Sequence, residues 1–112
     1  MEQFFRPRRL RRSSIIRDLC AEHTLRVDGL IQPYFVCDGS GIKDEINGLP
    51  GIYRESVDSL VKSVSDDLRT GVSKIMLFGV TDRKDAKAST AKDDRNPVIL
   101  ATKQLKDNQP EK

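Results

Sequence analysis

The side chains best suited to chemistry in this sequence are its clustered charges, two cysteines and a single histidine. Arg6, Arg8, Arg9, Arg11 and Arg12 crowd into one short stretch, while the remainder of the chain is close to neutral, for a formal net charge of +3. Guanidinium groups at that density suit nucleic-acid phosphates, the carboxylates of another protein subunit, or a solvated tail. A nucleic-acid reader would interleave aromatic platforms with its arginines, and beyond Phe4 and Phe5 there are none. Nucleic acid is therefore not the expected partner.

The other candidates read blandly. Cys20 and Cys37 match no metal or redox spacing and fit free thiols in a reducing cytoplasm. His23 has no cysteine or carboxylate at useful spacing, so a helix-end histidine is expected rather than a ligand or base. The adjacent acids Asp44-Glu45, Asp66-Asp67 and Asp93-Asp94 invite a metal or acid–base reading. Neighbours in sequence point apart on a helix, and the loop pairs sit among lysines, so solvated surface is expected. Gly39-Ser40-Gly41 lacks the glycine spacing and helix start of a phosphate cradle and reads as a flexible loop.

These groups must be positioned by a chain of 112 residues, room for one ordinary domain. Hydrophobic and charged fractions of 37% and 33% suit an α/β protein with a busy surface. No apolar run approaches the roughly 20 residues that span a bilayer, and the arginine-broken start is no secretory leader. A mitochondrial presequence is disfavoured by Glu2 and by the lack of a long amphipathic face. Pro7 and repelling arginines make the start an extended arm. Ser13 or Ser14 then caps a short helix to about His23, with Ile15, Ile16, Leu19 and His23 as its buried stripe.

Leu30–Val36 reads as a strand, with Pro33 expected to bend it or disturb its pairing. The glycine-rich stretch from Cys37 to Gly51 reads as loop. Ser56 caps the best helix, whose Val57, Leu60, Val61, Val64 and Leu68 form one continuous face, and Gly71 stops it. Lys74–Val80 is an uninterrupted apolar run, expected as a parallel strand buried on both faces. After a polar loop over 81–96, Asn96-Pro97 opens a helix through about Lys106. Two such strands cannot satisfy one another. Each wants neighbours along both edges and cover on both faces, so the sheet is expected to be unclosed, and a truncated chain is preferred over a partner that supplies the missing strands.

Particular residues then carry a resemblance. Arg8-Arg9-Leu10-Arg11, Glu22 and Leu25, and Leu30-Ile31-Gln32-Pro33-Tyr34-Phe35-Val36 look like the opening of the porphobilinogen synthase family, also called delta-aminolevulinic acid dehydratase. Leu49-Pro50-Gly51-Ile52-Tyr53-Arg54 and Leu77-Phe78-Gly79-Val80 resemble the family's next two blocks, and Lys84-Asp85, Ser89 and Ala91 resemble the loop that follows. The similarity runs from Arg6 to Lys106. Ala88 stands where the family often has glycine; if a positive φ is needed there, the loop is expected to take another shape. Leu49 in place of methionine conserves volume.

The resemblance implies an α/β fold: an N-terminal arm over residues 1–13, then over 14–112 the first two βα units of a TIM (β/α)8 barrel, truncated. It implies an arm that wraps a neighbouring subunit in an octamer-like homo-oligomer, with Arg8, Arg9, Arg11 and Arg12 as the residues of that contact. It also implies a cytoplasmic hydro-lyase that condenses two delta-aminolevulinic acid molecules to porphobilinogen for haem and other tetrapyrroles, with zinc or magnesium as cofactor. The family's Schiff-base lysines, metal cysteines and active-site aspartate have no counterpart here, so no catalytic, substrate-binding or metal residue is assigned. Lys74, Lys84, Lys87 and Lys92 are not candidates for those roles. Asp38 and Thr81, at the C-terminal ends of the two strands, are the residues placed to line a complete site. The alternative is a non-catalytic module that docks on a partner barrel through the arginine arm.

Overall fold

A computed structural model describes residues 6–109. The first residues of the expected arm, including Phe4 and Phe5, lie outside that range, as does Pro110.

Helix α1, Ser14–Cys20, starts where Ser13 accepts a hydrogen bond from the Ile16 N–H at 3.2 Å. It is shorter than the sequence suggests, because Ala21 turns to an extended conformation. Its expected stripe is not buried: Ile15 is 78% and Leu19 84% exposed, and His23 is exposed too. The helix is amphipathic, but no other described residue buries its apolar side. The radius of gyration, 21.5 Å, reflects this outlying segment, since a compact chain of about 100 residues has roughly 13 Å.

Among the described residues the sheet has four strands rather than two: β1 Ile31–Cys37, β2 Lys43–Glu45, β3 Tyr53–Ser56 and β4 Lys74–Val80, in the order β2-β3-β1-β4. β1 and β4 are parallel along their whole length, from Ile31 opposite Lys74 to Cys37 opposite Val80. Pro33 sits opposite Met76 without breaking this register, contrary to the expected disturbance, and β3 joins β1 only beyond it, from Phe35.

The stretch over 37–51 is not simply loop. Its Lys43–Glu45 segment pairs antiparallel with β3, making the sheet mixed. The hairpin turn is closed by the Glu45 carboxylate, which accepts from the Gly51 N–H at 2.6 Å.

Helix α2, Val57–Arg69, and helix α3, Pro97–Asn108, cover one face of the sheet. All five expected aliphatics of α2 enter the core, where Leu60 and Val64 pack with Tyr34, Val36, Ala101 and Leu105. Full burial of a side chain such as Leu60 stabilises by about 1.5–3 kcal/mol. Thr70 and Gly71 end α2, with Gly71 at φ +100°. Asn96 caps α3 by accepting from the Val98 N–H at 2.9 Å. Gly79 lets α3 approach β4 closely: a β-carbon there would lie 2.9 Å from Val98 Cγ2.

β4 is covered on one face only. Ile75 and Leu77 pack beneath the helices, whereas Met76 and Phe78 remain 47% and 44% exposed on the other side. Phe78 stacks there on Phe35 at 5.4 Å between ring centroids. The apolar run on β4 is thus fitted for two-sided burial that these residues do not supply.

Candidate functional site at the strand ends

In parallel sheets, side chains just past the carboxyl ends of strands converge on ligands. Cys37 ends β1, flanked in register by Ser56 of β3 and Val80 of β4. A small pocket of about 110 Å³ opens there, lined by Cys37, Asp38, Ile42, Arg54, Val80 and Asp82. Of the two residues expected at the mouth, Asp38 lines it. Thr81 does not; its hydroxyl instead accepts from the Arg83 N–H at 3.2 Å.

Arg54 and Asp82 are the lining charges that sequence reasoning missed. Arg54 lies on β3, whose polar sequence hid it, and its guanidinium pairs with Asp44 at 3.3 Å. Arg54 and Val80 also border a larger apolar recess with Phe35, Ile46 and Leu49.

The chemistry available at this mouth is lining and charge placement. Cys37 is buried, and that burial pushes its thiol above the ordinary range despite the opposing field of Arg54. A thiol so raised is a weaker nucleophile near neutral pH than a free one. No lysine lines the pocket. Lys74 sits at the far end of β4 and donates to the Asp28 carbonyl, while Lys84, Lys87 and Lys92 are exposed in the loop over 81–96.

The loop after β1 is not loose, as its composition suggested. Gly41 N–H donates to both Asp58 oxygens, at 2.9 and 3.2 Å, and the Ser40 hydroxyl donates to the same carboxylate. Ser56 is the N-cap residue of α2, yet its hydroxyl donates to Asp58 and accepts from the Ile42 N–H at 3.0 Å. The Ser56 hydroxyl and then the Gly41 N–H hold the Asp58 carboxyl down at about 2. These contacts tie the glycine loop to the first turn of α2.

The loop after β4 is organised in the same manner. Asp85 accepts from the Lys87 and Ser89 N–H groups, and hydrogen bonding from Ser89 lowers its carboxyl below the usual range. Asp93 accepts from the Arg95 N–H at 2.9 Å, which likewise lowers its carboxyl, and it pairs with Arg83 at 3.8 Å. Ala88 adopts the left-handed conformation, φ 50° and ψ 42°. The position does take a positive φ, and alanine bears the strain.

The remaining candidates stay apart. Among the described residues there is no group of three or more His, Cys, Asp or Glu placed to hold a metal. Cys20 is exposed and unpaired. Arg8, Arg9, Arg11 and Arg12 are exposed around a single 3-10 turn, Arg9–Arg11, whose Arg11 carbonyl accepts from Arg17. Asp66 is solvated, beside a similarly exposed Arg69, whereas Asp67 accepts from Tyr34. No helix among the described residues is long and apolar enough to cross a membrane.

A sequence model of the delta-aminolevulinic acid dehydratase family matches residues 4–112. The enzyme of that name from Halalkalibacterium halodurans is 38% identical over 108 residues, covering 96% of this chain and 33% of the relative. That of Staphylococcus epidermidis is 42% identical over 101 residues, covering 90% and 31%. Among solved structures, delta-aminolevulinic acid dehydratase (porphobilinogen synthase) of Toxoplasma gondii ME49, in complex with the reaction product porphobilinogen, superposes with a TM-score of 0.84. It is 31% identical, and the match covers 97% of this chain and 31% of that one. The chain spans about a third of the length of these relatives.

Proposed function

The chain belongs to the delta-aminolevulinic acid dehydratase family, and from that premise we propose that it supplies the N-terminal part of a porphobilinogen synthase. In this reading β1 with the β2–β3 hairpin and α2, then β4 with α3, form the first two units of a (β/α)8 barrel wall. The whole enzyme condenses two molecules of delta-aminolevulinic acid to porphobilinogen in the cytoplasm. One observation carries the reading: β1 and β4 run parallel in unbroken register, with their ends converging on Asp38, Arg54 and Asp82.

These residues would line the mouth of the site and set its charge without reacting. Zinc or magnesium belongs to the family's chemistry, but the described residues offer no metal-ligand cluster. They do not fit a metal centre, and no step is assigned to them through one.

Arg8, Arg9, Arg11 and Arg12 form, on this reading, the arm that pairs with carboxylates of a neighbouring subunit in an octamer-like assembly. The apolar side of α1 supports this, since Ile15 and Leu19 are exposed among the described residues.

Fusing this chain to the remaining two-thirds of the Halalkalibacterium relative tests the assignment. The fusion should form porphobilinogen from delta-aminolevulinic acid, and the 112-residue chain alone should form none. Turnover by the chain alone, or a well-folded but inactive fusion, would overturn it.

A further inference from the structure

A second pocket, of about 300 Å³, lies between the β2–β3 hairpin and α2. Glu55 reaches into its wall from β3 and is only 5% exposed. One of its oxygens, Oε1, accepts from Lys43 Nζ and from the Ser63 hydroxyl, each at 3.0 Å. The other, Oε2, is buried and has no hydrogen-bond partner. A buried acceptor left bare costs more than a formed hydrogen bond gains, so the carboxylate is incompletely served as it stands.

Lys43 is an inexact match to this group. Its ammonium is a point charge that engages one oxygen of Glu55, with a longer bond to the Ser63 hydroxyl at 3.3 Å, and its side chain is 52% exposed. Its Nζ also lies 5.2 Å from the centre of the Tyr53 ring, so that aromatic face already attracts a cation. Asp66 and Asp67 border the same pocket. Three carboxylates thus face two cations, Lys43 and the Arg69 that pairs with Asp66. A planar guanidinium meets all of these features: its fork spans both oxygens of one carboxylate, its face stacks on an aromatic ring, and its outer N–H groups serve further acceptors.

We infer that the pocket around Glu55, Tyr53 and Asp66 is a guanidinium-binding site, in which the ligand displaces Lys43 and occupies the unpartnered Glu55 oxygen. A metal ion is the poorer occupant, since Lys43 already neutralises the carboxylate and no metal-ligand cluster exists among the described residues. The inference is independent of the proposed activity. A free guanidino compound and an arginine side chain of another polypeptide present the same group.

Titration of the full chain, followed through its backbone amides by NMR, tests it with methylguanidinium, methylammonium and a peptide of the Arg6–Arg12 sequence. Methylguanidinium should shift the Tyr53, Glu55 and Ser63 amides saturably, with methylammonium at least about tenfold weaker. Lys43→Ala removes the internal competitor and should tighten binding about threefold or more. Glu55→Gln should abolish it. A peptide that binds at least about tenfold tighter than methylguanidinium identifies a polypeptide arginine as the occupant; a smaller gain identifies a free compound. Equal binding of the two small cations, no saturable shift, or an unchanged affinity in Lys43→Ala would each overturn the site. If Glu55→Gln loses its folded amide dispersion, the affinity change in Lys43→Ala decides between these outcomes.

Discussion

Tyr34 on β1 donates its hydroxyl to Asp67 on α2 at 2.5 Å, a polar tie between strand and helix at the edge of an otherwise apolar core. Burial, and then the carboxylate beside it, push the phenol above its ordinary range, so it stays a donor at any working pH. Tyr34→Phe keeps the ring and removes the bond. Because one partner is charged but partly exposed, the loss should be about 1–2 kcal/mol. Urea unfolding should show a lower midpoint with an unchanged slope.

Asp58 gives a pH signature. Its carboxyl is held at about 2 against an ordinary 3.8. A depressed folded-state value means that the stabilisation is fully present above the unfolded value and is lost as pH falls through the folded one. Wild type should therefore exceed Asp58→Asn in melting temperature above pH 3.8, and that excess should shrink below pH 3.8 and vanish only below about pH 2. A constant difference across this window would show that the Ser56 and Gly41 contacts do not govern the carboxylate.

Ala88 is the one non-glycine residue with positive φ among the described residues. The left-handed region costs an L-residue about 1–2 kcal/mol, while glycine's extra freedom in the unfolded chain costs about 0.4–1 kcal/mol. Ala88→Gly should therefore be stabilising, by about 0.5–1 kcal/mol in thermal or urea unfolding. The opposite sign would mean that the loop is held in this shape by something other than its own backbone.

Gly79 and Val98 should couple. Gly79→Ala places a methyl 2.9 Å from Val98 Cγ2, within range of overpacking costs of about 1–3 kcal/mol. Val98→Ala alone should also destabilise, but the double variant should recover part of the first loss. A double-mutant cycle measures that recovery, and strict additivity would refute the contact.

Where apolar periodicity is strong, the sequence was legible. The strand at Lys74–Val80 has the expected bounds, and α2 buries the aliphatic face its spacing suggested. The β2–β3 hairpin was hidden because Lys43-Asp44-Glu45 and Tyr53-Arg54-Glu55-Ser56 carry no alternating apolar signal. That same polarity concealed Arg54 at the strand ends and Glu55 in its pocket. The stripe on α1 has the right spacing but lacks a surface to meet, which periodicity within one chain does not reveal. Asp38 was found from its place after a strand, whereas Asp82 lies one residue past the position named for β4.

Among the described residues the hairpin claims the outer edge of β1 only from Phe35 to Cys37, leaving Ile31–Tyr34 with an unclaimed flank. A strand added on that flank would meet β1 below the hairpin and so enter staggered rather than level with β3. Its reach would depend on where β3 starts along β1, and lengthening or shortening the turn around Pro50-Gly51 would shift that boundary.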